Sequence, residues 1–196
     1  MSTATSEIII VEDPQALSRT AADLFLERAD AVLSARPFFS VVLSGGSTPK
    51  DLYSLIASDP GIKDTIGWEK VHFFWGDERH VPTDHPQSNF RMAHDVLLSA
   101  LPLPPENIHR MPSEDDDAHR AARRYEQELI QFFQLKHEQY PRFDLIWLGM
   151  GADGHTASLF PQSAALTEQK HLVAANWVEK MQSHRITMTP PVLKHA

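Results

Sequence analysis

The chain has no cysteine among its 196 residues, which excludes disulfides, thiolate zinc sites and cysteine nucleophiles. It also lacks any surplus of basic residues: 18 lysines and arginines stand against 26 aspartates and glutamates, for a formal net charge of -8. That balance argues against a broad electrostatic footprint for nucleic acid or an anionic membrane, so neither is expected as a partner. Any anionic ligand must be held by a local cluster of cations. No apolar run approaches the length of a membrane span, and the opening MSTATSE has neither the basic nor the hydrophobic region of a signal peptide. The expected location is cytoplasmic. Repeats, low-complexity tracts and linkers are also missing.

What is present suits one globular domain: 42% hydrophobic and 22% charged residues, in a chain long enough to bury a sizeable core. EIIIV (7–11) reads as a short buried strand. DPQALSRTAADLFLERADAVLSA reads as a helix capped by Asp13, with Leu17, Ala21, Leu24 and Phe25 on its inner face. PFFSVVLS is a strand entering GGSTP, where Thr48 is expected to cap a second helix with Pro49 at its first position. VHFFW is a strand running into the long loop GDERHVPTDHPQ, and a helix follows near SNFRMAHDVLLSAL. A short strand at NIHRM precedes the acidic start of a helix carrying Tyr125, Leu129, Phe132 and Phe133 inward; its EDDD run (114–117) suits a solvated helix N-terminus. Apolar strands alternating with amphipathic helices indicate an α/β fold, Rossmann-like, with a mostly parallel sheet and helices on both faces.

In such a sheet, ligands sit beyond the carboxyl ends of the strands. Three loops leave strand ends there: SGGST, WGDER and GMGADGH. The last contains Gly149, Gly151 and Gly154, which fit the spacing G-x-G-x-x-G. A dinucleotide site also needs a full helix after the third glycine and an acid about 20 residues on. Pro161 stops any such helix, and HLVAANW holds no acid, so no dinucleotide cofactor is expected. What glycine-rich loops still offer is close backbone approach and amide N–H groups for an anion.

Taken singly, the polar residues of these loops have ordinary readings. Asp153 suits a turn and His155 a solvated loop; Asp77 and Arg79 could form a surface turn, and Arg185 an exposed strand charge. Taken together, Asp153 and His155 offer an imidazole beside a carboxylate, able to act as general base and then acid. His80, Asp84 and His85 match no metal-ligand spacing, and no metal is expected.

LSGGSTPKDLY, FFWGDERHVPTDHPQSNFRMA, FDLIWLGMGADGHTASLFP and RITMTPPVL resemble the 6-phosphogluconolactonase family, within the glucosamine-6-phosphate deaminase and isomerase superfamily. The resemblance implies hydrolysis of 6-phospho-D-glucono-1,5-lactone to 6-phosphogluconate without a cofactor. It places the catalytic histidine at His155 with Asp153 beside it. The substrate would meet Gly45, Gly46, Ser47 and Thr48 of the first loop, Asp77 and Arg79 of the second, then Asn89 and Arg185, with Lys194 a further candidate near the phosphate. Similar proteins continue beyond Ala196 through another strand and helix, so a single sugar-phosphate domain over 1–196 lacking C-terminal elements is expected. A hexosamine-6-phosphate deaminase would resemble D-G-H followed by an acidic N-E-P, where this chain has SLFP. A non-catalytic sugar-phosphate sensor would carry a DNA-binding segment, for which the residues before Glu7 leave no room.

Overall fold

The computed structural model describes residues 6–195. Helices α1 (Pro14–Leu33), α2 (Ser47–Ser58), α3 (Pro60–Lys63), α4 (Asn89–Val96), α5 (Ala118–Phe132) and α6 (Pro190–Leu193) are interspersed with strands β1 (Phe39–Leu43), β2 (Val71–Trp75), β3 (Asp77–Arg79), β4 (Ile108–His109), β5 (Leu145–Ile146), β6 (Val173–Val178) and β7 (Ser183–Met188). A four-stranded parallel sheet runs β4-β2-β1-β5. Consecutive residues Val41 and Val42 are both fully buried, which requires cover on both faces. Alternation along β2 supplies it. Phe73 packs toward Trp68, itself stacked with Phe25 of α1, while Phe74 meets Phe132 of α5 on the opposite face.

The C-terminal ends of the two central strands are pinned by tyrosines. The Tyr53 hydroxyl bonds the backbone N–H and C=O of Ser44, both at 3.0 Å. Tyr125 does the same for Trp75, at 3.0 and 3.3 Å. Burial pushes both phenols well above their ordinary range, so they stay neutral. Each satisfies buried backbone groups just where the chain leaves the sheet toward a loop.

A second sheet, antiparallel and ordered β3-β7-β6, adjoins the first. The two meet at Gly76, whose N–H donates to Leu43 and whose carbonyl accepts from Met188. The sequence reading took GDERHVPTDHPQ as loop throughout. Its first residues instead form β3, because a strand 110 residues away in the chain offers a partner edge: Asp77, Glu78 and Arg79 pair with Thr187, Ile186 and Arg185.

Other expectations need correction. Residues 7–11 form no strand, and Ile8 and Ile10 are exposed, since no described strand lies beside them to complete a ladder. On α1, Asp13 caps as expected, accepting from the Ala16 N–H at 2.7 Å; such a cap contributes about 1 kcal/mol. The buried stripe, however, is Ser18, Ala22, Phe25, Ala29 and Val32, leaving Leu17 and Leu24 exposed. Helix α1 packs against α2, and Phe25 of the stripe meets Phe39 of β1 and Trp68. The α2 cap is Gly46 rather than Thr48, with the helix starting at Ser47 and no side-chain capping bond. In the acidic run, Asp117 caps α5, but Asp115 is not simply solvated: its carboxylate pairs with Arg120 and Arg124.

Candidate active site

A cleft of about 250 Å³ opens beyond the carboxyl ends of β1, β2 and β5, lined by residues of all three loops and of the β6–β7 hairpin. It takes Gly45, Gly46, Asp77, Arg79, Asn89, His155 and Arg185 of the sequence candidates. Ser47 and Thr48 lie exposed in the first turn of α2 and do not line it. Lys194 is not brought there at all. It shares a different concavity with Arg36, Phe143 and Asp144, just before β5 and therefore at the other end of the sheet.

Two glycines are set by contact. A Cβ on Gly45 would overlap the Asn89 amide, and one on Gly151 would overlap the His155 imidazole, each well under 3.0 Å. The first loop thus lies directly on Asn89, and the third folds its own backbone under the imidazole. That third loop is tied by Gly151 N–H to His155 C=O (2.8 Å), Gly154 N–H to Gly151 C=O (2.9 Å) and Thr156 Oγ1 to Gly149 C=O (2.9 Å). The amides of Gly151 and Gly154 are therefore spent within the loop, contrary to the expectation that these glycines present N–H groups to an anion. No helix follows Gly154 before the short turn Ala164–Thr167, in line with rejection of the dinucleotide fingerprint.

His155 Nδ1 lies 2.5 Å from Asp153 Oδ1. The imidazole bond holds the Asp153 carboxyl below the usual carboxylate range, with the backbone N–H of His155 adding to it. With Nδ1 carrying the proton toward Asp153, the tautomer assigned by this bond, Nε2 keeps its lone pair. Asp153 is not among the cleft-lining residues and meets the cleft only through its bond to the ring. On the other side the ring stacks on Phe160, with centroids 4.1 Å apart.

Asp77 and Glu78 are both buried carboxylates, and they divide their work. Glu78 accepts from the N–H groups of Arg79, Asn89 and Phe90 and from the Ser88 hydroxyl. It ties β3 to the first turn of α4, where a negative charge is favoured, and so fixes Arg79 and Asn89. Burial nonetheless pushes its carboxyl upward. Asp77 accepts from Ser158 Oγ at 2.6 Å, and its backbone carbonyl accepts from Asn89 Nδ2 at 2.9 Å. Its carboxyl is also raised, chiefly by desolvation, with Ser158, Arg79, Arg185 and His155 pulling the other way.

Arg79 and Arg185 stand directly opposite each other across the β3–β7 pair. Arg79 donates to the Gln87 carbonyl, and Arg185 to Ser183 Oγ and Met181 Sδ. Among the described residues, no carboxylate forms an ion pair with either. Arg185 is only 8% exposed, and desolvation, then the charge of Arg79, lowers its pKa. Two adjacent cations with no carboxylate in direct contact, and with Asp77 and Glu78 acting on Arg185 only at longer range, make a local demand for an anion in an otherwise acidic protein.

Sequence reasoning missed Ser158, Phe160 and Met181 as cleft residues. Ser158 is 1% exposed and joins the third loop to Asp77, while its N–H and C=O meet Thr187 and Asn176. Its place three residues after His155 was the only available signal. Among the described residues, no group of three His, Asp or Glu side chains is placed to hold a metal ion, and no helix is long and apolar enough to cross a membrane.

The pattern of the family described as glucosamine-6-phosphate isomerases/6-phosphogluconolactonase matches residues 12–196. The chain is 41% identical to a 6-phosphogluconolactonase of Nostoc sp., over 95% of this chain and 75% of that one. It is 40% identical to one of Synechocystis sp., over 97% and 76%. Among solved structures, a 6-phosphogluconolactonase from Trypanosoma cruzi superposes with a TM-score of 0.86 at 32% identity, covering 98% of this chain and 77% of that one. A monomeric glucosamine-6-phosphate deaminase shares the fold, with a TM-score of 0.74 at 17% identity, over 95% and 77%.

Proposed function

This chain belongs to the family of glucosamine-6-phosphate isomerases and 6-phosphogluconolactonases, and from that premise we propose that it is a 6-phosphogluconolactonase. The reaction is hydrolysis of 6-phospho-D-glucono-1,5-lactone to 6-phospho-D-gluconate, in the oxidative pentose phosphate pathway, with cytoplasmic location. The observation that carries the choice within the family is Phe160. Where a deaminase would place an acid after D-G-H, this chain stacks an apolar ring on His155. An enolisation or ring-opening step thus loses its carboxylate, whereas lactone hydrolysis needs none there.

In the proposed mechanism His155 Nε2 takes a proton from water as the oxygen attacks C1. The tetrahedral oxyanion then collapses, the C1 bond to the ring oxygen breaks, and His155 returns the proton to that oxygen. Asp153 holds the Nδ1 tautomer and supports the transient imidazolium. Arg79 and Arg185 hold the phosphate, their planar donor forks matching its oxygens. Because Gly151 and Gly154 spend their amides within the loop, the first loop, at Gly45 and Gly46, is the better source of oxyanion donors.

The test is to assay the purified protein with freshly generated phosphogluconolactone against the spontaneous rate, and with glucosamine 6-phosphate for ammonia. Faster lactone loss without ammonia is expected. Ammonia release without lactonase activity would reverse the assignment.

A further inference from the structure

We propose that Met181 is a specificity-determining positioning residue: its thioether holds the Arg185 guanidinium at the cleft until a phosphate oxygen replaces it. The inference rests on the reading of Arg185 as a phosphate ligand. Arg185 Nη2 lies 2.8 Å from Met181 Sδ, and Nη1 lies 3.3 Å from Ser183 Oγ. A guanidinium this buried is normally met by a carboxylate. Here it is met by two neutral acceptors, one of them the weakest side-chain acceptor available.

The placement of Met181 follows from the hairpin tip. Glu179–Met181 form a single helical turn after β6, and Gln182 takes the left-handed conformation (φ 47) that reverses the chain into β7. The Glu179 carboxylate accepts from Trp177 Nε1 and Gln182 Nε2, both at 2.8 Å. These bonds fix the tip from its outer side, while Met181, 44% exposed, lines the cleft.

A weak acceptor at this position has a chemical logic. It orients the fork before binding, yet exchange for a phosphate oxygen is strongly favourable, since charge-assisted bonds are about twice as strong as neutral ones. A carboxylate at 181 would orient Arg185 equally well but trap it in an ion pair that phosphate must break. A leucine would fill the space without orienting anything.

The experiment compares M181L, M181Q and M181E with the native protein. Calorimetry with inorganic phosphate and with 6-phosphogluconate measures binding, and turnover of phosphogluconolactone and of unphosphorylated gluconolactone measures the KM and kcat split. M181L should weaken phosphate binding about two- to fivefold, because a fork not held beforehand must be ordered on binding, and M181E about ten- to a hundredfold, because its ion pair with Arg185 must be broken. M181Q, whose amide oxygen can accept from the guanidinium, should bind as the native protein does. In M181L and M181E the loss should fall on KM for phosphogluconolactone and be several-fold smaller on gluconolactone. Unaltered phosphate binding in M181L and M181E, or equal losses on both lactones, would overturn the proposal. R185A separates the two readings. If it weakens phosphate binding while M181L and M181E do not, only the role of Met181 falls. If R185A binds phosphate as tightly as the native protein, the phosphate reading fails and takes this one with it.

Discussion

Replacing Gly151 with alanine tests the catalytic geometry without touching a functional side chain. A Cβ at this position would fall well under 3.0 Å from Cε1 and Nδ1 of His155, and Gly151 is not among the residues of positive φ, so the backbone itself accepts alanine. The ring must therefore give way. Restoring van der Waals separation requires a retreat of about 1 Å, a displacement that can cost about a hundredfold in rate when the group must be in line for proton transfer. Movement of the ring is limited by the Phe160 stack, and rotation breaks the 2.5 Å bond to Asp153. G151A should lower kcat by about 10- to 100-fold with KM changed little, because the arginines proposed to hold the phosphate lie on other elements. Thermal unfolding should be nearly unchanged, since Asp153 and His155 are part-exposed and their bond carries little of the fold's stability. Steady-state kinetics with both lactones and a melting curve suffice. A G151A protein with native kcat would show that proton transfer does not depend on the imidazole position seen here.

His155→Ala should lower kcat by about 10² to 10⁴ with a smaller effect on KM, as expected for a lost general base; a folded variant with near-native kcat would exclude that role. Arg79→Ala and Arg185→Ala should each cost about 1.5 to 3 kcal/mol in binding of the phosphorylated lactone and leave unphosphorylated gluconolactone almost unaffected. Equal loss on both lactones would move that arginine to the reacting end. Glu78→Gln should raise KM and lower the melting temperature together, because the neutral amide cannot accept all of the bonds now made to the carboxylate; an unchanged melting temperature would refute its tying role. His72 is held neutral, its pKa lowered to about 4 by burial and then by neighbouring His109. The unfolded chain therefore binds the extra proton first, and this stability is present above the ordinary value of about 6.5 and lost as pH falls toward 4. His72→Gln should flatten that acid limb in melting curves taken across the range, and an identical limb would place its origin elsewhere.

How much was legible in the sequence differs between the sheet and the site. β1 and β2 announced themselves because central parallel strands are buried on both faces and so read as unbroken apolar runs. Asp13 announced α1 because a cap is a local bond between neighbours in the chain. The three glycine-bearing loops were placed correctly because strand order in such a sheet puts ligand loops at one end. Errors arose where a partner was distant or missing. EIIIV has the composition of a strand but no described neighbour to pair with, and Leu17 and Leu24 have the spacing of a buried face but lie away from α2.

The sequence alone therefore determined the fold class and the family, and the identity of most polar side chains in the cleft, because those depend on local pattern and on motifs long enough to be specific. The tertiary structure decided what these groups do to one another. Register between β3 and β7, invisible in a chain where the two segments lie more than 100 residues apart, sets Arg79 against Arg185. It also aims Glu78 at α4 and leaves Asp77 to Ser158. The β6–β7 hairpin brings Met181 to the cleft, and Lys194 lies in a different concavity. Hydrogen bonds, burial and charge pairing fall off within a few ångströms, so only closure of the chain on itself could decide which of these residues meet.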